Sequence, residues 1–409
     1  MVREEAPWRA DLGAHPVEWI TRLRTKWAER PLTSANGRRC RRPVRPGRGE
    51  RTRPSEHPLR VEPSAIAVVV TTVIRLLGAQ GREKHPVDKW RAALRLDPVP
   101  ALAASEDAAL AWHLQAEVLD SGVPSKDALW ELPDVRKILK KQQPGGFWRY
   151  PKQPPPPTGN YDLLETFRQL RVLVQVYQLD AGHPALASGV EWVLSCQTAD
   201  GDIRGILGNQ YMPYYHGMIL ALVIEAGCGD DPRIEAGLEW LLRMRQDDGG
   251  WIVPAQAVPP ARKTLSFWNE APLAPDRARP NSHLATGMAL RALAVHPRFR
   301  RRKEARAAAE RLKESFFRAE KYNDRKAPGY WTKLGFPYWW TDLLMALDSV
   351  TLIEPGAEDP HVAAGVRWFI DHQDEDGLWP TGYGSGSRAE VSRQWVGLRA
   401  CAVLRRILG

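Results

Sequence analysis

A short turn motif that recurs along the chain limits its fold more than any other feature. Each full copy has a glutamine followed four residues later by a glycine, and most copies continue into a tryptophan or phenylalanine. The copies are Gln142–Trp148, Gln197–Gly201, Gln246–Trp251 and Gln373–Trp379, with a degenerate one at Ala327–Trp331. Their glycines, at 146, 201, 250, 329 and 377, are 55, 49, 79 and 48 residues apart, and the longest interval contains the proline-rich insert Val253–Pro280. Self-similarity of this kind indicates an array of repeated helix pairs.

The helices predicted on the two sides of the turns differ in character. Those before the turns are amphipathic: Ala187–Cys196, Pro232–Arg245, Lys303–Phe317 and Pro360–His372. Those after the turns are more apolar, above all the middle three: Tyr161–Leu179, Tyr214–Gly227, Ser282–Val295, Thr341–Ile353 and Gln394–Ile407. An amphipathic helix suits an outer ring, and an apolar helix suits an inner ring covered on both sides. The sequence therefore predicts an all-α fold, an α/α toroid of two concentric rings of alternating helices around a central cavity.

The turns also carry a family resemblance. Gln246–Trp251 and Gln373–Trp379 resemble the Q-x-x-D-G-x-W repeat of squalene and oxidosqualene cyclases, and the Q-x-x-D-G-G-F repeat of protein prenyltransferase β subunits is related. The resemblance covers roughly residues 139–408. The segments Pro328–Pro337 and Trp340–Leu344 are similar to bacterial and archaeal squalene-cyclase-like repeat proteins, a group without an assigned reaction. The resemblance implies the toroid fold of the terpenoid cyclase and prenyltransferase superfamily, and it implies no particular reaction.

The catalytic signatures of these families do not carry over. The strings nearest to D-x-D-D, Asp200–Asp202 and Asp374–Asp376, lie in repeat turns. Asp230 and Asp231 lack the last carboxylate of a magnesium-binding D-D-x-x-D motif. The Asp-x-Cys string of the prenyltransferase zinc site does not occur. Any catalytic group has to come from other positions.

The amino-terminal part has a different composition. Residues 1–63 carry a net charge of +7 out of +10 for the whole chain, and Pro31–Pro63 is rich in Arg and Pro. We predict a disordered basic segment over 1–63, a helical part over 64–138 that packs on the toroid, and the toroid over 139–409. Because the basic charge is concentrated in the tail, nucleic acid is not the expected partner, and a peripheral membrane contact stays open.

The expected location follows from the cysteines and the first residues. Four scattered cysteines do not suggest a disulfide framework, and Met1–Gly13 has no apolar run like that of a signal peptide. We therefore expect a cytoplasmic protein, with membrane association as the open alternative.

The first turns of the inner helices should meet at one mouth of the cavity. They combine aromatic with ionisable residues, which a purely structural array does not need. The candidate catalytic residues are Asp162, His216, His283 and Asp342, and the candidate substrate-binding residues are Tyr215, Trp331, Trp339, Trp340 and Trp395. Each has a structural alternative: the aspartates could cap their helices, and the other side chains could be ordinary core residues.

Two chemistries fit these residues. In the first, burial raises the pKa of Asp342, which protonates an alkene with His283 as a hydrogen-bond partner, and the aromatic faces stabilise carbocations. This predicts an acid-initiated isoprenoid cyclase or isomerase that needs no cofactor. In the second, His216, His283 and Asp342 bind a divalent metal.

Two further interpretations stay open. The array could be a non-catalytic scaffold that binds a lipid or a protein. An Asp162 and Asp342 pair could also act on a glycan, since paired carboxylates flank the bond that glycosidases break. A deep apolar pocket would favour an isoprenoid or other apolar substrate, an open polar groove a sugar, and a filled centre a scaffold.

Overall fold

The computed structural model of the protein describes residues 88–151, 159–259, 262–263, 266–322, 325–383 and 386–409. Over these ranges the chain is helical, and its only β-structure is a few isolated bridges. The predicted disordered segment 1–63 and residues 64–87 lie outside the described ranges. The domain boundaries at 63 and 138 therefore stay predictions.

The α-helices of the described ranges are labelled in chain order. They are α1 (Lys89–Ala92), α2 (Val99–Ala103), α3 (Ala108–His113), α4 (Asp127–Trp130), α5 (Pro133–Leu139), α6 (Tyr161–Gln175), α7 (Pro184–Ser195), α8 (Pro213–Val223), α9 (Pro232–Arg243), α10 (His283–Val295), α11 (Lys303–Lys313), α12 (Leu343–Ile353), α13 (Pro360–Asp371) and α14 (Ser387–Leu408). A short π-helix continues α3 over Leu114–Val118, and another continues α8 over Ile224–Cys228.

The alternation of outer and inner helices agrees with the sequence pattern. The helices α7, α9, α11 and α13 stand at the predicted outer positions, and α6, α8, α10, α12 and α14 at the predicted inner ones. Nearly all of α8, α10 and α12 is buried, whereas α9 and α11 keep an exposed face. The α/α toroid is confirmed. The bounds differ most at α14, which begins at Ser387 rather than Gln394.

Neighbouring inner helices approach each other through glycines. A Cβ at Gly217 of α8 would lie 2.6 Å from the Cα of Ala289 on α10. A Cβ at Gly287 of α10 would lie 2.4 Å from the side chain of Thr341. Any larger residue at these two positions would push the helices apart. None of the described helices is both long and apolar enough to cross a membrane.

The repeat glutamines join each turn to the next outer helix. The Gln142 amide donates to Gly146 O in its own turn (2.8 Å) and to Ala185 O at the start of α7 (2.7 Å). Gln197 likewise bridges Gly201 O (2.7 Å) and Arg233 O in α9 (2.8 Å). Gln373 bridges Gly377 O and Leu96 O, so the last turn is joined to the segment before α2. The glycines of these turns have φ values of 91°, 102° and 84°, a region that other residues rarely adopt.

The third turn is shifted by one residue from the predicted alignment. Gly249, not Gly250, has the positive φ (95°), and its carbonyl accepts from Arg245 Nε (3.1 Å). Arg245 therefore stands at the glutamine position, and Gln246 bonds instead to the carbonyls of Asp276 and Arg279 in the insert. The insert thus supplies the acceptors that the next outer helix supplies elsewhere.

A closed circuit of polar contacts joins the inner helices beyond their first turns. Its links are Gln175 to Glu225 (2.9 Å), Glu225 to Arg291 (2.6 Å), Arg291 to Asp348 (2.9 Å), Asp348 to Arg399 (3.1 Å), Arg399 to Glu117 (2.8 Å) and Glu117 to His113 (2.6 Å). His113 Nε2 then meets the carbonyl of Val176, the residue after Gln175 (2.9 Å). The order around the ring is α6, α8, α10, α12, α14, α3 and back to α6, so α3 closes the inner ring.

Asp348 is the most strongly held link of this circuit. It is fully buried, and its carboxylate accepts from Arg291, Arg399 and Arg406. Burial alone would raise the pKa of Asp348, but the three guanidinium groups hold it well below its usual range. The carboxylate is therefore a fixed anion at the centre of the ring's polar contacts.

Candidate functional site

The segment that precedes α12 lies inside the helix ring. Arg171 of α6 donates to the carbonyls of Pro337 (3.2 Å) and Tyr338 (3.3 Å). Because α6 and α12 are not neighbours in the ring, these bonds span its interior. Part of the space that the sequence predicts as a central cavity is therefore filled by Pro337–Trp340.

Five aromatic side chains pack together around this segment, and we call them the central cluster: Phe167, Tyr214, Tyr215, Trp339 and Trp340. The Trp339 ring centroid lies 5.0 Å from that of Phe167 and 6.0 Å from those of Tyr215 and Trp340. Tyr215 is fully buried and Trp339 is 5% exposed. The fold thus brings together three predicted substrate-binding residues, Tyr215, Trp339 and Trp340.

Three arginines lie against the central cluster. The Arg171 guanidinium carbon is 4.6 Å from the Trp339 ring centroid, and that of Arg168 is 5.7 Å from it. The Arg325 guanidinium carbon is 4.9 Å from the Trp340 ring centroid. Arg168 is paired with Glu165 (3.3 Å), whereas within the described ranges no carboxylate pairs with Arg171. Burial, with the nearby Arg168 charge, holds the pKa of Arg171 well below its usual range.

Asp342 is the N-cap of α12 and directly follows the central-cluster segment. Its Oδ1 accepts from Met345 N–H (2.8 Å) and its Oδ2 from Gly335 N–H (2.8 Å). Only 4% of the residue is exposed. Burial raises the pKa of Asp342 to about 7, although the backbone N–H groups and the Arg325 charge favour the anion. The predicted cap and the predicted shift in pKa thus occur at the same carboxyl group.

His216 faces the outer ring. Its Nδ1 accepts from Ile203 N–H (3.0 Å) and its Nε2 meets Gly237 O of α9 (3.1 Å). The imidazole packs edge-on against Trp240, with centroids 5.0 Å apart. Burial lowers the pKa of His216 to about 4. Both ring nitrogens are occupied, so in this structure His216 joins an inner helix to an outer one.

His283 and Trp331 contact each other and the segment that follows α11. His283 Nε2 lies 3.6 Å from Glu320 Oε2, and its ring lies 4.8 Å from that of Trp331. The Trp331 indole donates to Arg318 O (2.9 Å). Burial lowers the pKa of His283, although the Glu320 charge opposes this. The partner of His283 is therefore Glu320, not Asp342.

Asp162 and Trp395 also bond to neighbours of their own. Asp162 Oδ1 accepts from Tyr150 N–H (2.7 Å), while Asn160 caps α6 by accepting from Leu163 N–H (2.9 Å). The Trp395 indole donates to Asp107 Oδ2 (3.1 Å) in the contact between α14 and α3. Of the four candidate catalytic residues, His216 and Asp342 stand within two residues of central-cluster residues in the sequence, and the His216 ring is directed to Gly237 of α9.

A shared metal site is not formed by the described side chains. Within the described ranges there is no group of three or more His, Cys, Asp or Glu residues placed to hold a metal ion. His216, His283 and Asp342, the predicted ligands, bond to Gly237, Glu320 and Met345 respectively. Metal dependence stays a prediction for measurement.

The arginines of the site are not among the residues predicted from the sequence. Arg168 and Arg171 stand three residues apart in α6 and are 7% and 1% exposed. A usable signal was present, because charged residues seldom occur on the inward face of a helix assigned to an inner ring. Arg325 and Tyr383, which act electrostatically on Asp342 and its surroundings, come from loops and carried no such signal.

Comparison with known proteins gives a partial match. No family model matches the chain. A probable squalene–hopene cyclase of Sinorhizobium fredii (strain NBRC 101917 / NGR234) is 29% identical over 131 residues, which cover 32% of this chain and 20% of that protein. The match thus spans about a fifth of the length of its curated relative. The match supports placing the chain in a terpenoid-cyclase-like superfamily.

Two solved structures are similar at lower levels. A protein from Actinoplanes is 19% identical with a TM-score of 0.36, covering 69% of this chain and 86% of that one. A variant of the type II terpene cyclase MstE from Scytonema, in complex with its product merosterolic acid A, is 13% identical with a TM-score of 0.27. That match covers 69% of this chain and 95% of that chain.

Proposed function

We propose that this protein binds an isoprenoid or a similarly apolar substrate inside its helix ring, and that Asp342 donates the proton that starts a cyclisation or isomerisation. The main support is the raised pKa of Asp342, about 7, two residues after Trp340 of the central cluster. A carboxyl group with such a pKa is protonated in a substantial fraction of molecules near neutral pH, which suits a general acid.

The hydrogen bonds of Asp342 are compatible with proton donation. A carboxyl group offers about four acceptor directions. Two of them accept the N–H groups of Met345 and Gly335, which fix the orientation of the group. The Leu344 N–H also favours the anion, and we assign the remaining acceptor direction of the group to the acidic proton. In place of the expected His283, Arg325 and Tyr383 are the polar neighbours that we assign to this acid.

The aromatic residues supply the second part of the proposal. Protonation of an alkene leaves a carbocation, and aromatic faces attract cations through their quadrupoles. Tyr214, Tyr215 and Trp340 present their rings within 4.5–6.2 Å of one another, next to the segment that ends at Asp342. This chemistry requires no metal, and elemental analysis of the purified protein tests that part of the proposal.

The experiment compares the lipids of cells that express three forms of the protein: the wild type, Asp342→Asn and Asp359→Asn. Asp359 is the N-cap of the outer helix α13, so it receives the same substitution in the same kind of position. We expect a lipid product with the wild type and Asp359→Asn, reduced 10²-fold or more with Asp342→Asn, as is typical of a lost general acid. Equal product from all three forms would remove Asp342 from this role.

A second function, non-catalytic binding of a lipid or protein, is favoured by two observations. Both oxygens of Asp342 accept backbone N–H groups, one of them as the cap of α12, and Pro337–Trp340 fills part of the ring interior. On this alternative, expression changes no lipid, and a bound molecule is recovered with the purified protein. The same lipid comparison therefore separates the two functions.

A further inference from the structure

Four hydrogen-bond donors of the site are buried without a partner. They are Arg171 Nε, Tyr215 Oη, Trp339 Nε1 and Trp340 Nε1. The Trp339 N–H approaches the Tyr215 hydroxyl but falls outside hydrogen-bond geometry. A buried polar group left unpaired costs about 1–3 kcal/mol of stability. Four unpaired donors at one place therefore lower the stability of the protein without a ligand.

These donors form one continuous patch. Arg171 lies 4.6 Å from the Trp339 ring centroid, and the Tyr215, Trp339 and Trp340 rings lie 6.0–6.1 Å from one another. Other indoles of the repeat array are satisfied: Trp148 donates to Ile138 O and Trp379 to Phe369 O. Single buried donors without a partner also occur elsewhere, at Trp90 Nε1, Arg204 Nε, Arg291 Nε, Arg311 Nε, Ser349 Oγ and Ser392 Oγ. The candidate site differs in that four of them lie on side chains that contact one another.

The charged side chains that contact the patch rings are arginines. Arg171 donates only to neutral carbonyls, and Arg168 and Arg325 bring two further guanidinium groups to the rings. Burial raises the pKa of the nearby Glu165 and Asp342 carboxyl groups and lowers the pKa of Arg171, so it disfavours the charged form of each. A ligand that satisfies the four donors has to supply acceptor atoms, and a negative charge on it would favour the charged form of Arg171.

We propose that the ligand of this site is an apolar molecule with one anionic oxygen group, a carboxylate or a phosphate, which Arg171, Tyr215, Trp339 and Trp340 bind. The inference rests on the proposed function, because it places an apolar ligand inside the ring. Guanidinium-to-anion hydrogen bonds are about twice as strong as neutral ones, so the group contributes to affinity as well as to orientation. The apolar part of the ligand would then lie along the aromatic faces.

The test is calorimetric titration of the full chain with three probes that share one isoprenoid tail: farnesol, farnesoate and farnesyl monophosphate. We expect at least one anionic probe to bind 10-fold or more tightly than farnesol. The two anions distinguish a carboxylate ligand from a phosphate ligand. Equal affinity for all three probes, or no binding by any of them, would overturn the proposal.

Two matched substitutions assign the effect to the patch. Tyr215→Phe removes an unpaired hydroxyl, so we expect 3- to 10-fold weaker binding of the preferred anion, unchanged binding of farnesol and no loss of thermal stability. Tyr338→Phe removes a hydroxyl bonded to Asp348 (2.9 Å) and Arg399 (3.2 Å), so stability should fall while probe preference stays the same. Preference unchanged in Tyr215→Phe would contradict the assignment.

The titration involves no turnover, so its outcome is separate from the test of Asp342. If the protein prefers an anionic probe but Asp342→Asn still makes full product, the ligand assignment holds and Asp342 is not the proton donor. If Asp342→Asn loses the product but no anionic probe is preferred, Asp342 remains the proton donor and the ligand assignment is wrong.

Discussion

Asp342 places two opposed demands on one carboxyl group. As an N-cap it accepts backbone N–H bonds, which favour the anion, and as a 4% exposed residue it is depleted of water, which favours the neutral form. Burial outweighs the hydrogen bonds, and the pKa rises to about 7. The same residue therefore contributes to the start of α12 and holds a proton that solvent-exposed aspartates lose three pH units lower.

This pKa predicts how stability depends on pH. The unfolded-state pKa of an aspartate is about 3.9, so the folded state holds its proton more tightly between about pH 4 and 7. The free energy of unfolding of the wild type should therefore fall as pH rises through this window, by up to about 4 kcal/mol relative to Asp342→Asn. Urea unfolding of both proteins at pH 4.5, 6 and 8 measures the difference, in which the opposite contribution of His216 cancels. Parallel stability curves would show that the pKa of Asp342 is ordinary.

At the scale of elements, the turns connect successive helices through side-chain hydrogen bonds. The Gln142 and Gln197 side chains each donate to a carbonyl of their own turn and to one of the first carbonyls of the next outer helix. The tryptophan that follows donates to the last turn of the preceding outer helix, as Trp251 does to Leu241 O (2.7 Å). The glutamine and the tryptophan of the motif that identifies the fold therefore both have structural roles.

The two adjacent glutamines of the first turn offer a matched test of this role. Gln142→Ala should lower the free energy of unfolding by about 2 kcal/mol, since it loses two bonds worth about 1 kcal/mol each. Gln143→Ala should change it by less than about 0.5 kcal/mol, because the Gln143 amide donates only to the nearby Lys141 O at the surface. Urea unfolding measures both. Similar effects from the two variants would mean that the bridge to α7 carries no stability.

The sequence predicted the elements better than the site, for a geometric reason. Helix polarity decided between inner and outer positions, and the cap at Asp342 follows from its residue type. Which way a first-turn side chain points depends on helix rotation, which changes by about 100° per residue. Tyr215 and His216 are adjacent, yet one joins the central cluster and the other faces α9. First-turn position alone could not separate them.

The third turn shows a similar limit. Counting from Gln246 placed the repeat glycine at 250, but the backbone uses Gly249, with Arg245 at the glutamine position. The proline-rich insert changed which partner was available to Gln246, and that partner lies 30 residues away in the chain. A local pattern cannot report such a change.

At the scale of the whole molecule, the inner ring is held by buried ion pairs as well as by apolar packing. Arg399 occupies two links, to Glu117 (2.8 Å) and to Asp348 (3.1 Å). Arg399→Met leaves Glu117 without its guanidinium partner and Asp348 with Arg291 and Arg406 alone, so it should lower the free energy of unfolding by about 3 kcal/mol. The surface variant Arg233→Met, whose pair with Glu191 is exposed, should cost less than about 1 kcal/mol. Comparable losses in chemical unfolding would argue against a special contribution from the circuit.

The closed circuit also restricts how such a chain can change in length. An open helical array can gain or lose a terminal unit, because each unit contacts only its neighbours. Here the last helix, α14, and the early helix α3 bind each other through Arg399 and Glu117. An added or deleted helix pair would separate these two residues. The number of repeats is therefore set by the circumference, and any duplication within the array would have to remake the contact between its two ends.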